Sequence, residues 1–197
     1  MDQVAKAPIT MCLASMAVAE GSAATISTTG TNAYIIEGLF YSRTALTNQA
    51  LPSTDNATGN AYVTIPAPGT TTGLGAGIPS APAGGGYACA ITLGLNAAGT
   101  LQAVQGPIVA LDTNGAFISA APSLSPALGP PGPNPGTTAG VQASVDFCPI
   151  GAIVVKLGSS ASAFTPFTTA WTSTGVTTSL INLASLPGRS LANLTYS

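Results

Sequence analysis

"YACAITLGLNAAGTLQAV", residues 87–104, is the stretch on which the reading of the fold turns. Tyr87, Cys89, Ile91, Leu93 and Leu95 alternate there with Ala88, Ala90, Thr92 and Gly94. A period of two sends successive side chains to opposite faces of a strand, whereas a helix would scatter these apolar residues around its circumference. Residues 87–95 are therefore expected to form a core strand. Asn96-Ala97-Ala98-Gly99 supplies turn residues and 100–104 returns to an extended pattern, so a hairpin is expected.

The next stretch, "GPIVALDTNGAFISAAP" (106–122), repeats the arrangement. Two apolar runs flank Thr113-Asn114-Gly115, and Asn-Gly readily adopts the positive backbone angles that tight hairpin turns demand. Asp112 stands at the edge of this turn, where a carboxylate accepts bonds from nearby backbone N–H groups. Residues 121–140 hold six prolines and four glycines, which break any ladder or helix, so a long surface loop is expected. Its "GPPGPNPG" is too short for a collagen helix and lacks glycine at every third position. "GAIVVKLG" (151–158) reads as a further strand. The Thr-rich run 163–186 reads as one or two more, before a turn at Pro187-Gly188.

Upstream, "AYIIEGLFY" (33–41) is rich in β-branched and aromatic residues and reads as one strand. "NAYVTIPAPG" (60–69) reads as a short strand stopped by Pro66 and Pro68, and residues 69–86 as a Gly/Pro/Thr/Ala loop. Residues 1–30 lack a clean period: Ile9, Met11 and Leu13 alternate like a strand, while Leu13, Met16 and Ala17 share a helical face. This segment is taken as an N-terminal arm, with strand as the alternative. The expected fold class is all-β. A single antiparallel sandwich or barrel-like domain occupies 31–197, with the arm at 1–30, long Gly/Pro-rich loops and the Pro-rich loop 121–140.

Charge narrows the function. Four basic and six acidic side chains make up 5% of the chain, against about 25% in an ordinary soluble domain. The exposed surface must then be built from Thr, Ser, Asn, Gly, Ala and Pro, which suits a member of an assembly better than a freely diffusing monomer. Four dispersed cations cannot line up on phosphates, so neither nucleic acid nor an anionic membrane surface is an expected partner. No apolar run approaches the roughly 18 residues of a membrane span. "ITMCLASMAVAEG" looks like a short signal core, with Lys6 before it and Ala17-Val18-Ala19 as a cleavage site. Asp2 and Pro8 argue against that, and an uncleaved N-terminus is the expectation. Cys12, Cys89 and Cys148 fit neither a disulfide framework nor a zinc pattern and read as small buried hydrophobes in a reducing compartment.

Little in the chain reads as chemistry. Without histidine there is no Ser-His-Asp or Cys-His site within one chain, and the commonest metal ligand is missing. Glu37, Asp55, Asp112 and Asp146 lie in separate segments outside any acid motif, so paired-carboxylate catalysis is not expected. Asp112-Thr113-Asn114-Gly115 resembles the opening of a calcium loop, but the later oxygen ligands and closing Glu are missing. Gly84-Gly85-Gly86 lacks the helix and Lys of a phosphate cradle and is taken as a flexible turn. No catalytic residue, cofactor or metal is therefore expected. Trp171 reads as a core or interface anchor. Arg43 and Arg189 read as interface caps on backbone carbonyls, as partners of a carboxylate, or as solvated charges.

Several segments taken in order carry a resemblance: "AYIIEGLFYSRTALTNQALPSTDNATGNAYVTIP", "LQAVQGPIVALDTNGAFISAAPSLSPALGPP", "IGAIVVKL" and "WTSTGVTTSLINLASLPGRS". The series resembles small virion proteins of tailed bacteriophages, the kind that decorate or cement the capsid or form short head fibres. The resemblance implies a non-enzymatic structural protein made in the bacterial host cytoplasm and carried on the capsid exterior. It also implies the major capsid protein as partner and a homo-oligomer, a trimer being favoured. The other readings are a tail or head fibre component contacting the host surface, and a secreted surface-layer β protein.

Overall fold

The computed structural model describes residues 10–118 and 146–183. Residues 1–9 of the arm, the loop 121–140 and Arg189 lie outside the described residues. Among the described residues eleven strands follow in chain order: β1 (Met11–Cys12), β2 (Ala19–Glu20), β3 (Thr25–Ser27), β4 (Asn32–Ile36), β5 (Leu39–Arg43), β6 (Gln49–Ala50), β7 (Tyr87–Leu95), β8 (Leu101–Gln105), β9 (Val109–Ala110), β10 (Cys148–Leu157) and β11 (Val176–Asn182). The described residues contain no helix, and every strand pairing is antiparallel. The fold is all-β, in three sheets: β1-β4-β5, β2-β3-β6, and β11-β10-β7-β8 with β9 also on β7.

β7 is the centre. All nine of its residues are buried, because β10 and β8 flank it and both of its faces are covered. Tyr87, Cys89, Ile91, Leu93 and Leu95 enter the main core with Ile153, Val155 and Leu157 of β10. Burying each such aliphatic side chain is worth about 1.5–3 kcal/mol. The opposite face is small by design of the sequence: a Cβ on Gly94 would lie 2.5 Å from the Phe147 ring, so only glycine lets that ring close over the sheet. The Asn96–Gly99 loop follows, closed by Asn96 N–H donating to Thr100 O at 3.2 Å and Gly99 N–H to Asn96 O at 2.8 Å. β10 begins ahead of the expected strand, at Cys148. Its register shifts between Pro149 and Gly151, where proline cannot donate to the ladder.

Several expectations are revised by the structure. Residues 33–41 are two strands: Ile36 pairs with Leu39 across Glu37 and Gly38, whose φ values of 49° and 81° mark a two-residue primed hairpin turn. Residues 60–69 form no strand, only a bridge in which Ile65 and Phe164 exchange N–H to O bonds of 2.8 and 3.0 Å. At Gly84-Gly85-Gly86 the expected turn forms, closed by Gly85 N–H donating to Pro82 O at 2.8 Å, but it is packed and not loose: a Cβ on Gly85 would meet the Leu111 carbonyl, and one on Gly86 the Leu157 carbonyl. From Thr10 onward, the segment taken as an arm is woven into the body. β1 pairs with β4, and Met16, Val18 and Ile26 join the same core as β7. Val18 N–H donates to Asn182 Oδ1 at 2.5 Å, tying this segment to β11.

Candidate interaction surface

The groups with chemistry to offer are turned to structural use. Asp112 is the hairpin corner: its Oδ1 accepts from Asn114 N–H and Ala116 N–H, each at 2.8 Å, and Leu111 bridges Phe117 across the turn. Asp55, only 4% exposed, accepts three backbone bonds: from Ala57 N–H at 2.7 Å and Thr58 N–H at 3.0 Å on Oδ1, and from Gln105 N–H at 2.6 Å on Oδ2. It clamps loop 55–60 onto β8, and Asn56 N–H donates to Ala103 O at 2.9 Å beside it. Sequence reasoning placed Asp55 in no role. Asp146 Oδ1 accepts from Ala97 N–H at 2.5 Å and holds the β7–β8 loop.

The three cysteines are free and buried. Burial pushes the Cys89 and Cys148 thiols up to about 12 from an ordinary 9.0, and raises Cys12 as well, against the lowering effect of the Ala14 carbonyl. A thiol that stays protonated is neither a nucleophile nor a metal ligand. Burial, with Asp55 nearby, also raises the Tyr62 hydroxyl, which is buried without a hydrogen-bond partner among the described residues. Among the described residues no group of three or more His, Cys, Asp or Glu is placed to hold a metal ion. No helix among them is long and apolar enough to cross a membrane.

Of the residues singled out for an interface, Arg189 lies outside the described residues, and Arg43 and Trp171 are held at separate places. Arg43 Nη1 donates to the Gly99 carbonyl, so this cation caps a backbone carbonyl inside its own chain. Tyr34 OH donates to Asn96 O at 2.8 Å, and the two bonds fasten the β4–β5 hairpin to the β7–β8 loop. Trp171 is 2% exposed. Its indole N–H donates to Thr25 O at 3.0 Å, and its ring stacks on Phe164 at 5.6 Å, which makes it a core anchor and not a surface group.

What the surface does offer is apolar. In the sheet β1-β4-β5, Cys12 pairs with Tyr34 and Tyr34 with Tyr41, and this row faces the core. The neighbouring row, Met11 with Ile35 and Ile35 with Phe40, must face away, because successive residues of a strand point to opposite sides. Phe40 is 64% exposed. Leu39, 63% exposed at the hairpin tip, pairs with the buried Ile36 and so belongs to the other face of the hairpin. Leu13, 40% exposed, extends the strip where its N–H donates to Ala33 O at 3.1 Å. Lone exposed apolar residues are ordinary, whereas these stand in one row across three strands, which makes the strip the candidate interaction surface. The chain matches no family model, no curated protein and no solved structure.

Proposed function

We propose that this chain is a non-enzymatic structural virion protein that binds the exterior of an assembled phage capsid as a decoration or cement subunit. The observation that carries the reading is the outward strip Met11–Ile35–Phe40 with Leu13. Its half-exposed and exposed apolar side chains stand on strands tied to the core by Tyr34 and Arg43, so the strip is presented rigidly. A rigid apolar surface loses little conformational entropy on docking. Low charge supports the same reading, since a subunit surrounded by neighbours has no need of charge repulsion to stay dispersed. The resemblance of the sequence to small virion proteins supplies the identity of the partner, the major capsid protein.

A subunit that binds only the assembled lattice stabilises that state by mass action, and many copies multiply a modest contact energy. The test is the number of copies of this chain per major capsid protein in purified particles, by quantitative mass spectrometry. A ratio of the same order as the capsid protein's own is expected. Absence from the particles overturns the proposal, and a handful of copies replaces it with a tail or head fibre.

A further inference from the structure

We propose that the outer edge of β11 is a self-recognition edge, along which two copies of this chain pair antiparallel about Ser179. Among the described residues β10 is the one strand hydrogen-bonded to β11, and beyond the ladder the Asn182 side chain accepts from Val18 N–H at 2.5 Å. Gly158 N–H donates to Gly175 O at 2.8 Å and Leu183 N–H to Ile150 O at 3.1 Å, so the odd-numbered backbone groups of this strand point at β10. A residue's N–H and C=O leave an antiparallel strand on the same side, and that side alternates. The groups of Val176, Thr178, Leu180 and Asn182 therefore point outward. Among the described residues only the Val176 N–H of this set has a backbone partner, Ser173 O at 3.0 Å.

Folded proteins protect an exposed edge with lysine, proline, a bulge or a covering loop. Among the described residues β11 has none of these between Thr177 and Ile181: the strand Val176–Asn182 is uncharged, contains no proline, and runs seven register pairs along β10 without a shift. The other edges differ. β5 ends in Arg43, β2 and β6 are two residues long, and β8 is covered where Asn56 N–H meets Ala103 O and Gln105 N–H meets Asp55.

The occupant follows from the match of the edge with itself. A two-fold axis through Ser179 sets Val176 opposite Asn182, Thr177 opposite Ile181 and Thr178 opposite Leu180 of the second copy. Every outward-pointing residue then faces another outward-pointing residue. A slip of one residue would set outward groups against inward ones. Leu180, 37% exposed, gains the methyl of the opposing Thr178 on the same face. No charges meet, whereas an acidic or basic peptide would find no counter-charge anywhere along the edge. The pairing is isologous, as two-fold interfaces are. It is independent of the capsid-binding reading, since it uses the sheet opposite in sequence to the β1-β4-β5 strip.

Ser179→Cys in the full chain tests the proposal, because the three native cysteines are buried and the new thiol is the exposed one. Across an antiparallel pair a central residue whose N–H points away from its mate lies about 4.5 Å from it between Cα atoms, within reach of a disulfide. With a mild disulfide oxidant, most of the Ser179→Cys protein should become covalent dimer, while Thr177→Cys, which faces Ile181 instead of itself, should not. Light scattering should give the wild type the mass of an even number of chains, halved in Thr178→Lys/Leu180→Lys with an unchanged far-ultraviolet spectrum. A wild-type mass of one or three chains, or cross-linking of Ser179→Cys no faster than of Thr177→Cys, overturns the proposal. Should the double variant fail to fold, the cross-linking comparison decides alone.

Discussion

Asp55 is a carboxylate buried for architecture, with three backbone N–H groups of Ala57, Thr58 and Gln105 converging on it. Asp55→Ala leaves those donors without their acceptor inside the protein, and each orphaned group costs on the order of 1–3 kcal/mol before relaxation. A loss of about 3 kcal/mol in urea unfolding is expected; a loss below about 1 kcal/mol would show that loop 55–60 is held by other means. The thiols set the response to alkali. Cys89 and Cys148 stay protonated in the folded chain up to about 12, while the unfolded chain ionises near 9.0. The folded state thus keeps protons that the unfolded state has lost, so stability is full below about pH 9 and falls as pH rises toward about 12. The urea midpoint should be level below that window and decline within it, with a shallower decline in Cys89→Ala/Cys148→Ala. Legibility at this scale follows distance along the chain. Asp112 was readable because its donors, Asn114 and Ala116, are its near neighbours. Asp55 was not, since the bond from Gln105 spans 50 residues and leaves no local mark. Trp171 read as a core or interface anchor, and what decides for the core, its bond to Thr25 146 residues away, leaves no local mark either.

The β4–β5 hairpin shows how an element can hide in a pattern. Alternation runs through Glu37-Gly38 unbroken, and glutamate is not a residue that announces a turn, so 33–41 read as one strand. Glu37 sits at φ 49°, a left-handed conformation that glutamate enters with strain. Glu37→Asn, giving Asn-Gly at the turn, should stabilise the protein by about 0.5–1 kcal/mol, read as a higher midpoint in thermal or urea unfolding. No gain would mean that the Thr10 hydroxyl, which accepts from Glu37 N–H at 3.1 Å, already determines the turn. β7 was legible because its large side chains alternate with small ones over its whole length. The start of β10 was not, because Pro149 falls inside a strand whose bulge absorbs it, an arrangement visible only once β7 lies alongside. Gly85 and Gly86 likewise look like slack until the Leu111 and Leu157 carbonyls are seen to need the space.

At the scale of the whole molecule, recognition and stability are separable. Leu39 and Phe40 are exposed, so Leu39→Ser/Phe40→Ser should change unfolding free energy by no more than about 0.5 kcal/mol per site. Under the capsid-binding reading, the same variant should lose most of its binding to particles in a sedimentation assay; undiminished binding would move the contact to another surface. The all-β class was legible from composition and period, but not the closure of the molecule, in which the earliest strands meet the last. That closure has a consequence for biosynthesis. Met16, Val18 and Ile26 share a core with Trp171, and Val18 N–H waits for Asn182, 164 residues downstream. At about 5–20 residues per second, a ribosome needs on the order of ten seconds to deliver that partner. Throughout this interval the first strands are out on the nascent chain with their apolar side chains unmatched, and pairings between distant strands form slowly even after release. A nascent chain halted before residue 171 should therefore be held by ribosome-associated chaperones and cut readily by protease, and chain completion should end both together.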